Sequence, residues 1–170
     1  MKRSVETFWA TLGEGSLILV LAAIAWAVQQ PLIFASLGPT AYELVEQPQL
    51  RSARTYNVIV GHLVGIGSGF LAVYLFSAWT APSVLFAFTL RRGGAAVFAA
   101  TLTTLVNLVL RASQPAALAT TLLVSLGVMQ SGRDAASMIV GVLIIAAIGQ
   151  PMRHFRLKYT EPRPGPISPG

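Results

Sequence analysis

The chain contains no cysteine, so disulfides, thiolate catalysis and Cys-based metal sites are all excluded. It has only two histidines, His62 and His154, far apart and with no His-x-x-x-His spacing. There is no phosphate-cradling glycine loop and no nucleophile elbow. Glu6, Glu14 and Asp134 stand at the ends of apolar segments, where a catalytic carboxylate has no partner. The chain therefore reads as a non-enzyme with no cofactor. Charge is also scarce: 11% of the 170 residues are charged, against about 25% in an ordinary soluble domain.

What the chain does have is apolar sequence, 54% of it, gathered into long runs. That composition reads as an all-α integral membrane protein, a polytopic helix bundle whose first partner is the lipid bilayer. The net charge of +6 does not indicate nucleic acid, because the basic residues lie at the termini and between apolar runs, where they orient helices. Lys2 and Arg3 before the run Ser16–Val28, with Ala25-Trp26-Ala27 near its end, fit a signal peptide. A retained first helix is the preferred reading, since several more spans follow.

Six apolar segments can be drawn, at about residues 12–28, 31–45, 57–79, 93–110, 115–129 and 135–150. Residues 82–90 form a connector. Four segments approach the roughly 20 residues a crossing needs, while the second and fifth run to about 15 and start at Pro31 and Pro115. Residues 1–11 form a cytoplasmic amino end, 12–150 the transmembrane domain and 151–170 a basic, then proline-rich, cytoplasmic tail expected to be disordered. Basic residues at both ends place both termini in the cytoplasm, which requires an even number of crossings.

The segments fall into two similar sets. Gln30-Pro31 leads to Ile59-Val60-Gly61, and Gln114-Pro115 leads to Ile139-Val140-Gly141. Each set also carries Leu-Gly between these landmarks, at Leu37-Gly38 and Leu126-Gly127. A duplicated unit of long helix, short broken segment and long helix is a pattern of membrane transporters.

Within this frame a few residues stand out. Gly61, Gly65 and Gly69 line one face of the third segment and predict close helix packing, inside the chain or across a homodimer. His62 lies about 20° from Gly69 on the helical wheel, so it borders that packed face. An ionisable group at membrane depth points to a proton or anion pathway, or to a histidine bonded within the core. Glu43 and Glu46 read best as interfacial acids, Asn107 as an interhelical hydrogen bonder and Arg111 as an interfacial anchor. Pro31 and Pro115 mark two helix starts. If both reach membrane depth and converge, their free N–H groups form an anion site, with Ser36, Thr40 and Ser113 adding hydroxyls.

These residues resemble the HPP family of small integral membrane proteins. Ser36-Leu37-Gly38-Pro39-Thr40 is similar to a Ser-Phe-Gly-Ala-Ser-like motif of that family. Tyr56-Asn57-Val58-Ile59-Val60-Gly61-His62 is similar to its Arg-Asn-Val-Ile-Gly-Gly-His-like motif, and Gln114-Pro115-Ala116-Ala117 stands where its naming His-Pro-Pro-Ala would be. The naming histidine is thus Gln114, its second proline is Ala116, and Tyr56 replaces an arginine. The resemblance spans about residues 12–150 and implies passage of a small inorganic anion, nitrite among them, across a bacterial-type inner membrane. It places Ser36, Gly38, Thr40, Asn57, Gly61, His62, Gln114 and Pro115 at the substrate, with Gly61, Gly65 and Gly69 packing the scaffold. A non-transporting scaffold or assembly partner using the same fold is the alternative.

Overall fold

The computed structural model describes residues 2–159, with side chains from 7 to 158. The tail 160–170, expected to be disordered, lies outside the described residues. Those described are all helical or irregular, without a strand. The helices are α1 (Lys2–Val28), α2 (Leu37–Glu46), α3 (Thr55–Leu75), α4 (Leu90–Val109), α5 (Ala116–Ser125) and α6 (Gly132–Tyr159), with a 3-10 turn at Ala78–Thr80. Four are long and apolar enough to cross a bilayer: Thr7–Val28, Thr55–Leu75, Leu90–Val109 and Gly132–Lys158, with mean hydropathies of 1.8, 1.9, 1.3 and 1.9. Their outward faces carry Leu19, Trp26, Val97, Leu108 and Val109, all exposed as a lipid-facing surface requires.

Local chemistry sets the breaks. Gln29 at the end of α1 takes a left-handed φ of 51°, and Arg111 at the end of α4 takes one of 53°. Each turn redirects the chain just ahead of a Gln-Pro pair. The two prolines then act differently. Pro115 sits at the N-cap of α5, as its position predicted. Pro31 does not start a helix: the chain continues without regular structure and α2 begins only at Leu37. Proline holds Gln30 away from helical geometry, and the chain first re-forms a turn where Leu37 N–H bonds Phe34 C=O at 2.9 Å. The third segment stops at Leu75, short of residue 79, because Ser77 adopts a φ of 48°. The fifth ends at Ser125, where Gly127 turns with a φ of 78°. The sixth does not stop at Gln150 but runs through Pro151 to Tyr159.

The six helices form two groups of three that trade members. α1 and α2 pack with α6, α4 and α5 pack with α3, and the groups join along α3 and α6. Glycine makes the close contacts. A Cβ on Gly65 would lie 2.7 Å from the Ala117 carbonyl oxygen, and one on Gly69 would lie 2.6 Å from Val124 Cβ. The glycine stripe of α3 is therefore used inside the chain, against α5, and is not free to serve a homodimer. On α6, Gly141 closes against the Leu32 carbonyl oxygen and Gly149 against Leu44. So the glycine of each Ile-Val-Gly lies against chain that follows the long helix of the other set.

The start of α1 and the end of α6 share one end of the bundle, where Gly13 meets Val45 and Met152. At the opposite end Ile24 and Val28 of α1 share a groove with Arg133 and Ala136 of α6.

Candidate functional site

His62 is fully buried, 1% exposed, and holds a partner on each ring nitrogen. Thr40 Oγ1 of α2 lies 2.9 Å from Nε2, and Thr120 Oγ1 of α5 lies 2.7 Å from Nδ1. The chain of contacts continues: Thr120 Oγ1 is 2.9 Å from Ser36 Oγ, which is 3.8 Å from Met138 Sδ. Thr40 turns its own hydroxyl back to the Ser36 carbonyl oxygen at 3.1 Å. Four helices thus meet through one hydrogen-bonded cluster at His62. The apolar side of the ring faces Ile59 and Ile66 on its own helix and Ile139 and Val142 on α6.

The cluster sits where the two short helices cross. Ser36, just ahead of α2, meets Thr120 in the middle of α5. Glu43, late in α2, faces Gln114, just ahead of α5. The two helices therefore run antiparallel. Their starts do not point at a common centre, as the sequence suggested, but slide past one another, with His62 between the first turn of α2 at Thr40 and the middle of α5 at Thr120.

A second group of polar atoms surrounds the start of α5. Gln114 is 3% exposed, and neither atom of its amide has a hydrogen-bond partner. Glu43 Oε2 and Asn107 Oδ1 are also buried without one. Glu43 faces Ser52 as well as Gln114. Asn57 Nδ2 donates to the Ser113 carbonyl at 3.0 Å and fixes the approach to the helix. Gly61 leaves room for Gln114, whose Cβ would lie 2.7 Å from an added methyl. Buried polar groups are nearly always paired, so this amide marks a place for water or a small ligand.

Of the residues singled out from sequence, Ser36, Thr40 and His62 come together. Asn57, Gly61 and Gln114 form the neighbouring group. Gly38 stands apart, with nothing within 4 Å of its Cβ direction, and Pro115 is exposed at the N-cap. Ser113 and Arg111 are exposed too. Sequence reasoning missed Thr120, although it stands 80 residues after Thr40, the spacing that also separates the two Ile-Val-Gly tripeptides.

It also missed Arg92. This guanidinium is 1% exposed and donates to the carbonyls of Ala81 at 3.0 Å, Pro82 at 3.3 Å and Ser125 at 3.3 Å. It thereby caps the carbonyl end of α5. At the other end of the molecule Arg156 Nε donates to Val45 C=O at 3.1 Å, which caps α2, and Arg153 Nε donates to Pro48 C=O at 2.7 Å in the loop that follows. Both short helices thus have a cation at the negative end of their dipole. Neither has an acidic residue in its first turn or a side-chain cap at its start. No three of His, Asp and Glu stand together as a metal site among the described residues.

A bundle of long apolar helices around two short broken ones, with its polar groups gathered inside, defines a polytopic helical membrane protein. The family model for the HPP transmembrane region matches residues 1–155, nearly the whole chain. The chain belongs to that family. No curated protein and no solved structure matches it.

Proposed function

We propose that this protein passes a small inorganic anion of nitrite-like size and charge across a bacterial inner membrane, along the crossing of α2 and α5. One observation carries the reading: both short helices have arginine-capped ends and no acidic residue in their own first turns, and His62 is held between Thr40 in the first turn of α2 and Thr120 in the middle of α5. The start of α2, with no acidic residue in its first turn, leaves positive potential beside His62 deep in the bundle, which favours an anion without a fixed cation. Ser36, Thr40, His62 and Thr120 line one part of the path, and Asn57, Gly61, Gln114 and Pro115 the other. Among the described residues Glu43 is the acid facing the start of α5, and it makes the two halves of the path unequal.

The extended stretch before α2 and the bend before α5 take these short helices only part of the way through the bilayer. Counted with their approach segments they complete six crossings, and α1–α3 and α4–α6 become inverted repeats. The antiparallel crossing of α2 and α5 supports this, because a two-fold axis in the membrane plane reverses helix direction. Arg51, Arg54, Arg111, Arg153, Arg156 and Lys158 fall at the end that holds the start of α1 and the end of α6, against Arg91, Arg92 and Arg133 at the other. The first end is cytoplasmic on that bias.

The scaffold reading has one observation in its favour: every hydrogen-bonding group of His62 is already satisfied within the protein. Nitrite flux into proteoliposomes separates the two. Empty vesicles report leakage of the neutral acid, and nitrate, chloride and formate report selectivity. The expected result is saturable, protein-dependent flux that is lost in a folded His62→Ala variant. No flux of any anion through folded protein would overturn the transport reading in favour of the scaffold.

A further inference from the structure

The protons of the His62 cluster can be counted. Thr40 gives its single hydroxyl proton to the Ser36 carbonyl, so it can only accept from His62, and Nε2 carries a proton. The other side has two solutions. In the first, the ring is neutral: Thr120 turns its hydroxyl to donate to Nδ1, and Ser36 Oγ donates to Met138 Sδ. In the second, Nδ1 also carries a proton and donates to Thr120, Thr120 turns to donate to Ser36 Oγ, and Ser36 keeps its donation to Met138 Sδ. The ring can therefore gain a proton by rotation of one hydroxyl, with no heavy atom moved and no donor stranded.

Few other groups compete for that proton. α5 presents Thr120, and α6 presents Met138, Ile139 and Val142. The inward residues of α4 are Ala95, Ala96, Ala99, Thr103 and Asn107, and its one buried charge, Arg92, is bound to carbonyls at the far end of α5. On α2, Tyr42 is exposed and Glu46 closes the helix, while Glu43 follows Thr40 by one turn. Glu43 thus stands between the ring and the basic end of the bundle.

We infer that His62 is a proton carrier coupled to the anion: it takes up one proton at Nδ1 as the Thr120 hydroxyl turns from the ring to Ser36 when an anion occupies the crossing, and releases it when the anion leaves. This rests on the anion reading above and adds the coupling ion to it. The step is simple in its balance. The Nδ1 lone pair accepts one solvent proton, no other bond is made or broken, and release is the reverse. An imidazolium beside the start of α2 meets its positive end and has no counter-charge among its hydrogen-bonded partners. An anion supplies that charge. Linkage then requires that each promote the binding of the other.

The two histidines make this directly visible. Full-length protein labelled with 15N-histidine in bilayers gives signals from His62 and His154 alone, and a His154→Gln variant assigns them. Sodium nitrite is the probe, with sodium gluconate at equal ionic strength as the control. Near pH 6, saturating nitrite is expected to raise the imidazolium fraction of His62 at least about threefold. Thr120→Val, which removes the hydroxyl that must turn, is expected to abolish that rise. If His62 remains a neutral Nε2–H ring with and without nitrite, while nitrite flux persists in proteoliposomes, coupling through His62 is overturned and the anion reading stands. An equal rise in gluconate would also overturn it, since the charge would then not require the transported anion.

Discussion

Thr40 and Thr120 hold opposite nitrogens of one imidazole, at 2.9 Å and 2.7 Å, from two short helices that run past each other in opposite directions. Each threonine is its helix's hydrogen-bonded link to the ring. The tie is therefore both a tether between the halves of the molecule and a point at which they share a proton.

Replacement of either threonine by valine keeps the volume and removes the hydroxyl. Thr40→Val leaves Nε2 unpaired in a buried site, and Thr120→Val does the same to Nδ1. Each is expected to cost about 1–3 kcal/mol of stability. Thermal unfolding of purified protein in detergent measures it, and an unchanged midpoint for both would show that the cluster does not hold the helices together.

The glycines of α3 offer a test with its own control. A Cβ on Gly65 would meet the Ala117 carbonyl oxygen at 2.7 Å and Thr121 Oγ1 at 2.9 Å, whereas one on Gly67 would meet nothing within 4 Å. Gly65→Ala must push α3 and α5 apart and is expected to destabilise by about 1–3 kcal/mol. Gly67→Ala is expected to be neutral or stabilising by up to about 1 kcal/mol, through helix propensity alone. Equal unfolding midpoints for the two variants would refute the close α3–α5 contact.

Arg92 holds three carbonyls with one planar fork. Arg92→Lys keeps the charge but not the fork, so it should recover only part of the wild-type stability. Arg92→Met should lose more, about 2–4 kcal/mol, because it strands the end of α5. The order wild type, lysine, methionine in thermal midpoint is the expected reading; lysine equal to wild type would show that charge alone suffices.

Gln114 is expected to separate stability from function. Its amide has no partner, so Gln114→Met should leave the unfolding midpoint unchanged or raise it by up to about 2 kcal/mol of stability. If the amide serves the passing anion, nitrite flux should fall by about tenfold or more in the same variant. A stable variant with full flux would remove Gln114 from the path.

The long helices were legible because a bilayer crossing needs about 20 apolar residues, and a soluble core rarely calls for runs of that length. The short segments were legible only as short. Pro31 and Pro115 look alike in sequence, yet only Pro115 borders a helix: after Pro31 the chain has no regular structure, and the Leu32 carbonyl packs against Gly141 of a helix far along the chain. His62, Ser36 and Thr40 were visible as polar residues in apolar surroundings. Thr120 has the same character, but a threonine in a helix excites no suspicion until the 80-residue repeat is aligned on it. Arg92 looks in sequence like the boundary of a connector, since an arginine beside Arg91 gives no sign that one guanidinium turns inward and the other outward. The orphaned amide of Gln114 depends on what does not reach it, and that is a property of the packed bundle.

The exchange of α3 and α6 between the two groups has a consequence for biosynthesis. When α3 leaves the ribosome, its glycine face has no mate, because α5 begins 61 residues after α3 begins, at Ala116 against Thr55, and has not been made. The first half of the chain must wait at the insertion machinery with a notch open to lipid. A break in the connector between α3 and α4 is therefore expected to leave two fragments each lacking the other's helix contacts.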